Sequence, residues 1–237
     1  MLRQPFSILR PFSGTIAMTI VTKREPLSDQ ELQKQLGVAE IIRPKQVHGN
    51  TVAIVKESSQ SQPEADAIFT DQKGIGLSIS WADCQNFLIF HPGGKECSCP
   101  TKVLGLLHSG WRGLIKEIIP RTYNALQKEW GIKPEETYVW AGPSLCQSCA
   151  EFTDPDNELR GISKQFFDGR CVNLQGIADA QFQSIGVPTS HIKRHPDCTC
   201  CHPESYWTYR GGDRGEVRRG KVNWIGCALA SNDQKNK

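Results

Sequence analysis

A chain of 237 residues with 28 Lys and Arg against 25 Asp and Glu has a formal charge of +3, too little for the dense positive stripe of a duplex-binding surface, so no nucleic-acid partner is expected. The nearly balanced 22% of charged residues excludes a disordered polyelectrolyte, and no stretch approaches the roughly 18 to 20 apolar residues that cross a bilayer. Ten cysteines fall far short of a disulfide-stapled scaffold, and a chain of this length can bury a core without bridges, so the expectation is a single domain over residues 1–237 with reduced thiols in the cytoplasm.

In chain order, Arg3 and Arg10 precede a short apolar stretch, 15–21, that runs into Thr22-Lys23-Arg24-Glu25 without a small-x-small cleavage site, so no signal peptide is expected. Ser28-Asp29-Gln30-Glu31 is a capping box and Gly37 a left-handed stop, which predicts a helix over 29–36. Residues 51–56, 67–70, 76–81, 86–91 and 102–107 are short β-branched or alternating runs bounded by Gly, Pro or Asp, and read as successive strands. Leu114, Ile115, Ile118, Ile119, Leu126 and Trp130 recur at helical spacing up to Gly131. Pro120 inside that run costs about 3 kcal/mol in a helix interior, so the helix is expected in two pieces.

Beyond it, 137–141 reads as a strand, followed by the turn Gly142-Pro143-Ser144 and the thiol pair Cys146 and Cys149. Residues 158–167 and 175–185 read as helices, the second closed by Gly186 and Pro188, and 222–229 as a final strand. No internal repeat, low-complexity tract or linker interrupts the chain. Strands that follow one another directly predict an α/β protein with mixed or antiparallel sheets and helices outside them, not a Rossmann alternation.

Three residues that close or follow strands carry metal chemistry: His48 in Lys45-Gln46-Val47-His48-Gly49, Cys84 in Ala82-Asp83-Cys84, and His108 in Leu107-His108-Ser109-Gly110. Two imidazoles and a thiolate fill three corners of a tetrahedral Zn²⁺ and leave the fourth open, the arrangement of a catalytic site. Their spacing matches no short metal motif, so two satisfied histidines and an inert cysteine are the alternative. Asp83 can orient a ligand imidazole, act as a general acid or cap a turn. Arg112, after Gly110 and Trp111 at a helix start, can hold an anion beside free amides or form a structural ion pair.

His108-Ser109-Gly110-Trp111-Arg112-Gly113, Gln46-Val47-His48-Gly49, Ala82-Asp83-Cys84, Ala141-Gly142-Pro143-Ser144, and Cys198-Thr199 followed by Tyr209-Arg210 together resemble the laccase-domain family, also called the multicopper polyphenol oxidoreductase family. The resemblance runs in order from about Glu31 to Leu229. It implies a metal on His48, Cys84 and His108, and zinc-dependent phosphorolysis of adenosine, inosine, guanosine and methylthioadenosine, with adenosine deamination as a second activity. It also implies an α/β/β/α layered fold, similar to that of bacterial toxin deamidases that use Cys and His.

On this reading Cys84, His108, Asp83 and Arg112 are the expected catalytic residues, and Arg112, Gln46 and Trp111 the substrate-binding ones. Trp111 would stack on the purine, or else be a buried aromatic at a strand–helix junction. Purine nucleoside and phosphate are the expected partners of a monomer or small homo-oligomer. The sequence departs from the family at residues 12–25, which lack its arginine and Gly-Gly-x-Ser turn. It also blurs the closing Gly-Arg, for which Arg214, Arg218 and Arg219 are alternative counterparts with none assigned, and residues 91–102 read as an insertion.

Three other functions compete. Cys84 as nucleophile with His108 as base would make a cysteine hydrolase or amidase, which a zinc-bound thiolate would not. A polyphenol oxidase needs more imidazoles than the six present, and no His-x-His pair occurs, so copper ranks below zinc. A zinc-stabilised binding module would hold metal and turn nothing over. Cys198, Cys200, Cys201 and His202, with Cys97 and Cys99 or with Cys146 and Cys149, offer a second zinc set, but the C-x-C and C-x-C-C spacings match the usual ribbons poorly, so inert thiols are expected there.

Overall fold

The computed structural model describes residues 7–57 and 62–230, so Arg3 lies outside the described residues. The strands are β1 (Ile16–Val21), β2 (Glu40–Ile42), β3 (Val52–Val55), β4 (Ala67–Thr70), β5 (Ile75–Trp81), β6 (Gln85–His91), β7 (Val103–Ser109), β8 (Tyr138–Ala141), β9 (Phe167–Asp168), β10 (Cys171–Val172), β11 (Ile192–Arg194) and β12 (Asn223–Leu229). The helices are α1 (Asp29–Leu36), α2 (Trp111–Ile115), α3 (Ile118–Trp130), α4 (Pro155–Glu158), α5 (Leu174–Ser184) and α6 (Arg214–Arg218).

Two mixed sheets result. One has the order β1-β12-β5-β2 and the other β11-β8-β6-β7-β4-β3, with β9 and β10 forming a separate small ribbon. In the larger sheet β6 is antiparallel to both β7 and β8, and β3 runs parallel to β4. Every residue of β6 and β7 is buried. Leu88, Phe90, Leu104 and Leu106 face the smaller sheet, in a cluster with Leu77, Ile79 and Ile225, while Phe87, Ile89, Val103 and Leu107 face helices. Burial on both faces is why these strands read as continuous apolar runs.

Leu114, Ile118, Tyr123, Leu126, Ile177 and Phe182 bring α2, α3 and α5 onto the outer face of the larger sheet. Leu32 and Leu36 of α1 cover the smaller sheet beside Val21 and Ala228. Gly226 makes that approach close: a Cβ there would stand 3.1 Å from methyls of both leucines. The layers therefore run helix, sheet, sheet, helix, the α/β/β/α order that the family resemblance implied.

Local signals held where they were strong. Ser28 and Glu31 close the capping box of α1, and Gly37 ends it at φ 67°. The run through Pro120 divides at Glu117, whose φ of 57° starts α3 afresh. Pro120 then sits in the first turn, where its missing N–H costs nothing.

The helix expected over 158–167 does not form. Asp154 caps the short α4, and Gly161 at φ 87° turns the chain out of helical conformation, leading to β9. Leu159, Ile162, Phe166 and Phe167 have helical spacing because each anchors separately in the core. The strands β1, β2 and β11 were not anticipated; β2 and β11 are too short to show a period, and β1 is fixed by pairing with β12 from the far end of the chain.

Candidate metal centre and its cavity

The turn from β5 to β6 carries the chain from the smaller sheet to the larger one, with Asp83 in the left-handed region at φ 79°. Cys84 sits at that crossing, His48 on the loop between β2 and β3 at φ 55°, and His108 near the end of β7. One ligand atom from each of the three lies within 4.8 Å of the others. The two imidazoles meet edge to face at 4.9 Å, and Cys84 Sγ is 4.0 Å from His48 Nε2. Gly110 permits this convergence: a Cβ there would stand 3.1 Å from both Cys84 Sγ and His48 Cδ2.

Asp66, wholly buried just before β4, organises the cluster. Its Oδ1 accepts from His108 Nδ1 at 2.9 Å and the His48 amide at 3.0 Å. Its Oδ2 accepts from the Gly49 amide at 2.6 Å and the Val47 amide at 3.3 Å. His108 thereby keeps its proton on Nδ1 and turns Nε2 toward Cys84 and His48. Sequence reasoning missed this residue and offered Asp83 for the task. The signal was there: a lone acid between Ala65 and Ala67 at the start of an apolar strand must be paired if it is buried.

Burial disfavours the Cys84 thiolate, but hydrogen bonds and charge from His108 and His48 outweigh it and bring the thiol down to about 6. Burial also opposes a charged His108, yet Asp66 and Cys84 hold its imidazolium up at about 9. Burial raises the Asp66 carboxyl less than His108 and the loop amides lower it, so it stays below the ordinary range. Both shifts favour the charged forms, a thiolate beside an imidazolium backed by a carboxylate.

These residues open into a cavity of about 540 Å³ that also meets Gln46, Trp111, Arg112, Phe152, Tyr209 and Arg210. Among the described residues none before Gln46 lines it, so residues 12–25 contribute no wall. Arg112 is exposed and makes no ion pair with a described residue; it lies over the Trp111 ring at 4.2 Å, and Trp111 meets Phe152 edge to face at 5.8 Å. Arg210 lies 5.9 Å from the Phe152 ring. Arg214 stacks on Tyr209 and Arg218 donates to its hydroxyl, whereas Arg219 is paired with Glu216. The Ser109 hydroxyl is buried beside the cavity without a hydrogen-bond partner among the described residues.

Asp83 and Gln46 are engaged within the protein. Asp83 accepts from the Thr199 and Thr208 hydroxyls at 2.7 and 2.6 Å and from the Arg210 amide at 2.7 Å, tying two loops to the cavity wall. The hydrogen bonds of its carboxylate go to these three groups and to neither imidazole. The Gln46 carboxamide donates to the Ser80 carbonyl at 2.8 Å and accepts from the Ser80 amide at 2.8 Å and hydroxyl at 2.9 Å, which pins the His48 loop to β5.

Fold and site together define a four-layered α/β protein with a two-histidine, one-cysteine candidate metal centre at the crossing between its sheets. The chain belongs to the multi-copper polyphenol oxidoreductase laccase family, whose model matches residues 26–225. It is similar to a purine nucleoside phosphorylase of Xylella fastidiosa, 30% identical over 197 residues covering 77% of this chain and 71% of that protein. Human purine nucleoside phosphorylase LACC1 is 26% identical over 183 residues, 73% of this chain, and the match spans only 40% of the human protein. Adenosine deaminase RL5, from an unknown prokaryotic organism, is 24% identical over 202 residues, 76% of this chain and 73% of that protein. The crystal structure of YlmD from Geobacillus stearothermophilus shares the fold with a TM-score of 0.76 at 22% identity, over 93% of this chain and 94% of that one.

Proposed function

We propose that this chain is a zinc-dependent purine nucleoside phosphorylase with adenosine deaminase activity, acting as one catalytic domain on adenosine, inosine, guanosine or methylthioadenosine. The observation that carries this reading is the convergence of His48, Cys84 and His108 on a cavity whose volume suits a nucleoside and a small anion. The donor set fits zinc, since two neutral imidazoles and one thiolate are borderline-soft and leave one position open. Among the described residues no donor cluster holds more than two imidazoles, which does not suit a set of several coppers. His48, Cys84 and His108, the last through Nε2, would hold the ion, with Asp66 fixing the His108 tautomer behind it. When bound, the zinc supplies Lewis acidity that polarises an oxygen of phosphate or water.

The remaining chemistry belongs to the chain's own residues. Arg112, exposed and without an ion-pair partner among the described residues, offers its guanidinium fork to phosphate, and Arg210 adds positive charge to the same cavity. Trp111 and Phe152 provide apolar surface for the purine. In phosphorolysis the C1′–N9 bond breaks with its electron pair leaving on the base, and a phosphate oxygen bonds to C1′. In deamination water adds at C6 and ammonia leaves. Asp83 and Gln46 act as positioning residues, because the carboxylate of the first holds the 199 and 208–210 loops and the amide of the second holds the His48 loop.

One observation favours a second reading, a cysteine hydrolase: Cys84 and His108 stand together at the cavity, with shifts that favour a thiolate beside an imidazolium. Metal content separates the two. Purified protein would be assayed for zinc and for turnover of the four nucleosides with and without phosphate, beside Cys84→Ser. Phosphate-dependent release of free base that disappears together with one zinc equivalent in the variant supports the phosphorylase. A metal-free protein that hydrolyses amides through alkylatable Cys84 overturns it.

A further inference from the structure

The sulfurs of Cys146, Cys149, Cys198 and Cys201 all lie within 4.8 Å of one another, away from the His48 cluster. The sequence argues against a second zinc because Cys97 and Cys99 read as C-x-C and Cys198, Cys200 and Cys201 as C-x-C-C, both poor matches to the usual ribbons. The fold selects a different pair. Cys198 and Cys201 are separated by two residues, as are Cys146 and Cys149, and Cys200 is left out of the cluster. Two C-x-x-C turns facing each other make up the ligand set of a closed structural zinc site.

We propose that these four thiolates bind a structural Zn²⁺, distinct from the metal centre of the cavity, that clamps the loop after β8 to the loop after β11. Cys146 and Cys149 Sγ stand 3.9 and 3.6 Å from Cys201 Sγ. Zinc–sulfur bonds of about 2.3 Å in a tetrahedron place sulfurs roughly 3.8 Å apart, close to both separations. The Cys146 amide donates to Cys198 Sγ at 3.2 Å, a direct bond from one loop to the other. Backbone pairing has already joined the two loops, through the bridge between Ser144 and Cys198 and the Thr199 amide donating to the Ser144 carbonyl at 3.3 Å. Each cysteine pair is also closed on itself by a local turn: the Ala150 amide donates to the Cys146 carbonyl, and the His202 amide to the Cys198 carbonyl, both at 3.2 Å.

Four thiolates packed this closely would repel one another unless a cation lay between them. A divalent ion would take up that charge while the thiol protons pass to solvent. The third donor group, His91 with Cys97 and Glu136, differs because its donor atoms already have partners: His91 Nε2 meets Glu136 at 3.3 Å, His91 Nδ1 meets the Thr101 carbonyl, and Glu136 accepts from the Ser98 amide. The clamp has a consequence for the cavity. Thr199, between the two ligands of its loop, donates to Asp83, and Leu145 and Ala150, beside the ligands of the other loop, line the cavity wall.

The test counts zinc on wild type, Cys84→Ser and Cys149→Ser/Cys201→Ser, purified without chelator, and records the absorption of each after replacement by Co²⁺. The expected result is two zinc equivalents in wild type and one in each variant. An intense sulfur-to-cobalt charge-transfer band should persist in Cys84→Ser and fall several-fold in the double variant. One equivalent in both wild type and Cys84→Ser, with the thiolate band retained, would support the clamp while removing metal from the cavity. One equivalent in wild type and none in Cys84→Ser overturns the proposal, whether or not the double variant folds. So does recovery of a Cys149–Cys201 disulfide from protein trapped with alkylating agent at lysis.

Discussion

Replacing Asp66 by Asn changes one atom and tests the support of the metal centre. Both carboxylate oxygens face donors only: Oδ1 meets His108 Nδ1 and the His48 amide, and Oδ2 meets the Val47 and Gly49 amides. Whichever way the new amide turns, its NH₂ confronts two N–H groups. Leaving a buried donor unsatisfied costs about 1–3 kcal/mol, so metal-free Asp66→Asn should lose roughly 1–3 kcal/mol of stability if His108 becomes an acceptor and roughly 2–6 kcal/mol if both donors stay unpaired. The least costly arrangement puts NH₂ toward His108, which can then accept at Nδ1 by moving its proton to Nε2. That proton occupies the lone pair a metal needs. Zinc affinity should fall about 10–100-fold, or roughly 1.4–2.7 kcal/mol.

Asp83→Asn is the matched control. Two of its three donors are hydroxyls, which can rotate to accept from the new NH₂, while the amide oxygen still serves the Arg210 N–H. Its zinc affinity should stay within about twofold of wild type, a small fraction of the roughly 1.4 kcal/mol that a tenfold change represents. Competition against a chromogenic chelator at pH 8, with urea unfolding of the metal-free forms, measures both quantities. Wild-type affinity and an unchanged unfolding midpoint in Asp66→Asn would refute the assignment of the His108 tautomer to Asp66.

Zinc binding to the cavity site should strengthen about tenfold per pH unit from pH 7 to 9, because His108, held up at about 9, must release a proton to become a ligand; a flat profile in a Cys149→Ser/Cys201→Ser background would contradict this. Arg112→Ala should lower adenosine phosphorolysis by a larger factor than phosphate-independent deamination, with stability within about 0.5 kcal/mol of wild type. Equal losses in both reactions, with a large drop in melting temperature, would place Arg112 in the scaffold. Gly105→Ala should destabilise the protein by about 1–3 kcal/mol in urea titration, since its Cβ would stand 2.1 Å from the Phe69 ring and 2.5 Å from the Ile68 carbonyl; an unchanged midpoint would show that the two strands can part without cost.

The elements legible from the sequence are those whose causes lie within a few residues. The α1 capping box, the left-handed stop at Gly37, the division of the helix run before Pro120 and the apolar strands β4 to β7 all follow from local capping, φ preference and side-chain period. His48, Cys84 and His108 could be singled out as donors at strand ends for the same reason. What joined them was decided elsewhere: the crossing of β5 into β6 brings Cys84 to β7, and the parallel pairing of β3 with β4 sets Asp66 beneath the His48 loop. No residue type or spacing encodes which buried acid meets which imidazole, so Asp83, adjacent in sequence to Cys84, was the natural choice for a role that Asp66 holds. The same limit hid the second cysteine set. Cys198 has neighbours at both Cys200 and Cys201, and only the docking of its loop against Ser144 and Cys146 determines which sulfur turns toward the partner pair. Period and capping are properties of a segment, whereas a site is a meeting of segments, and the free energy that selects the meeting is spread over the whole buried interface between the sheets.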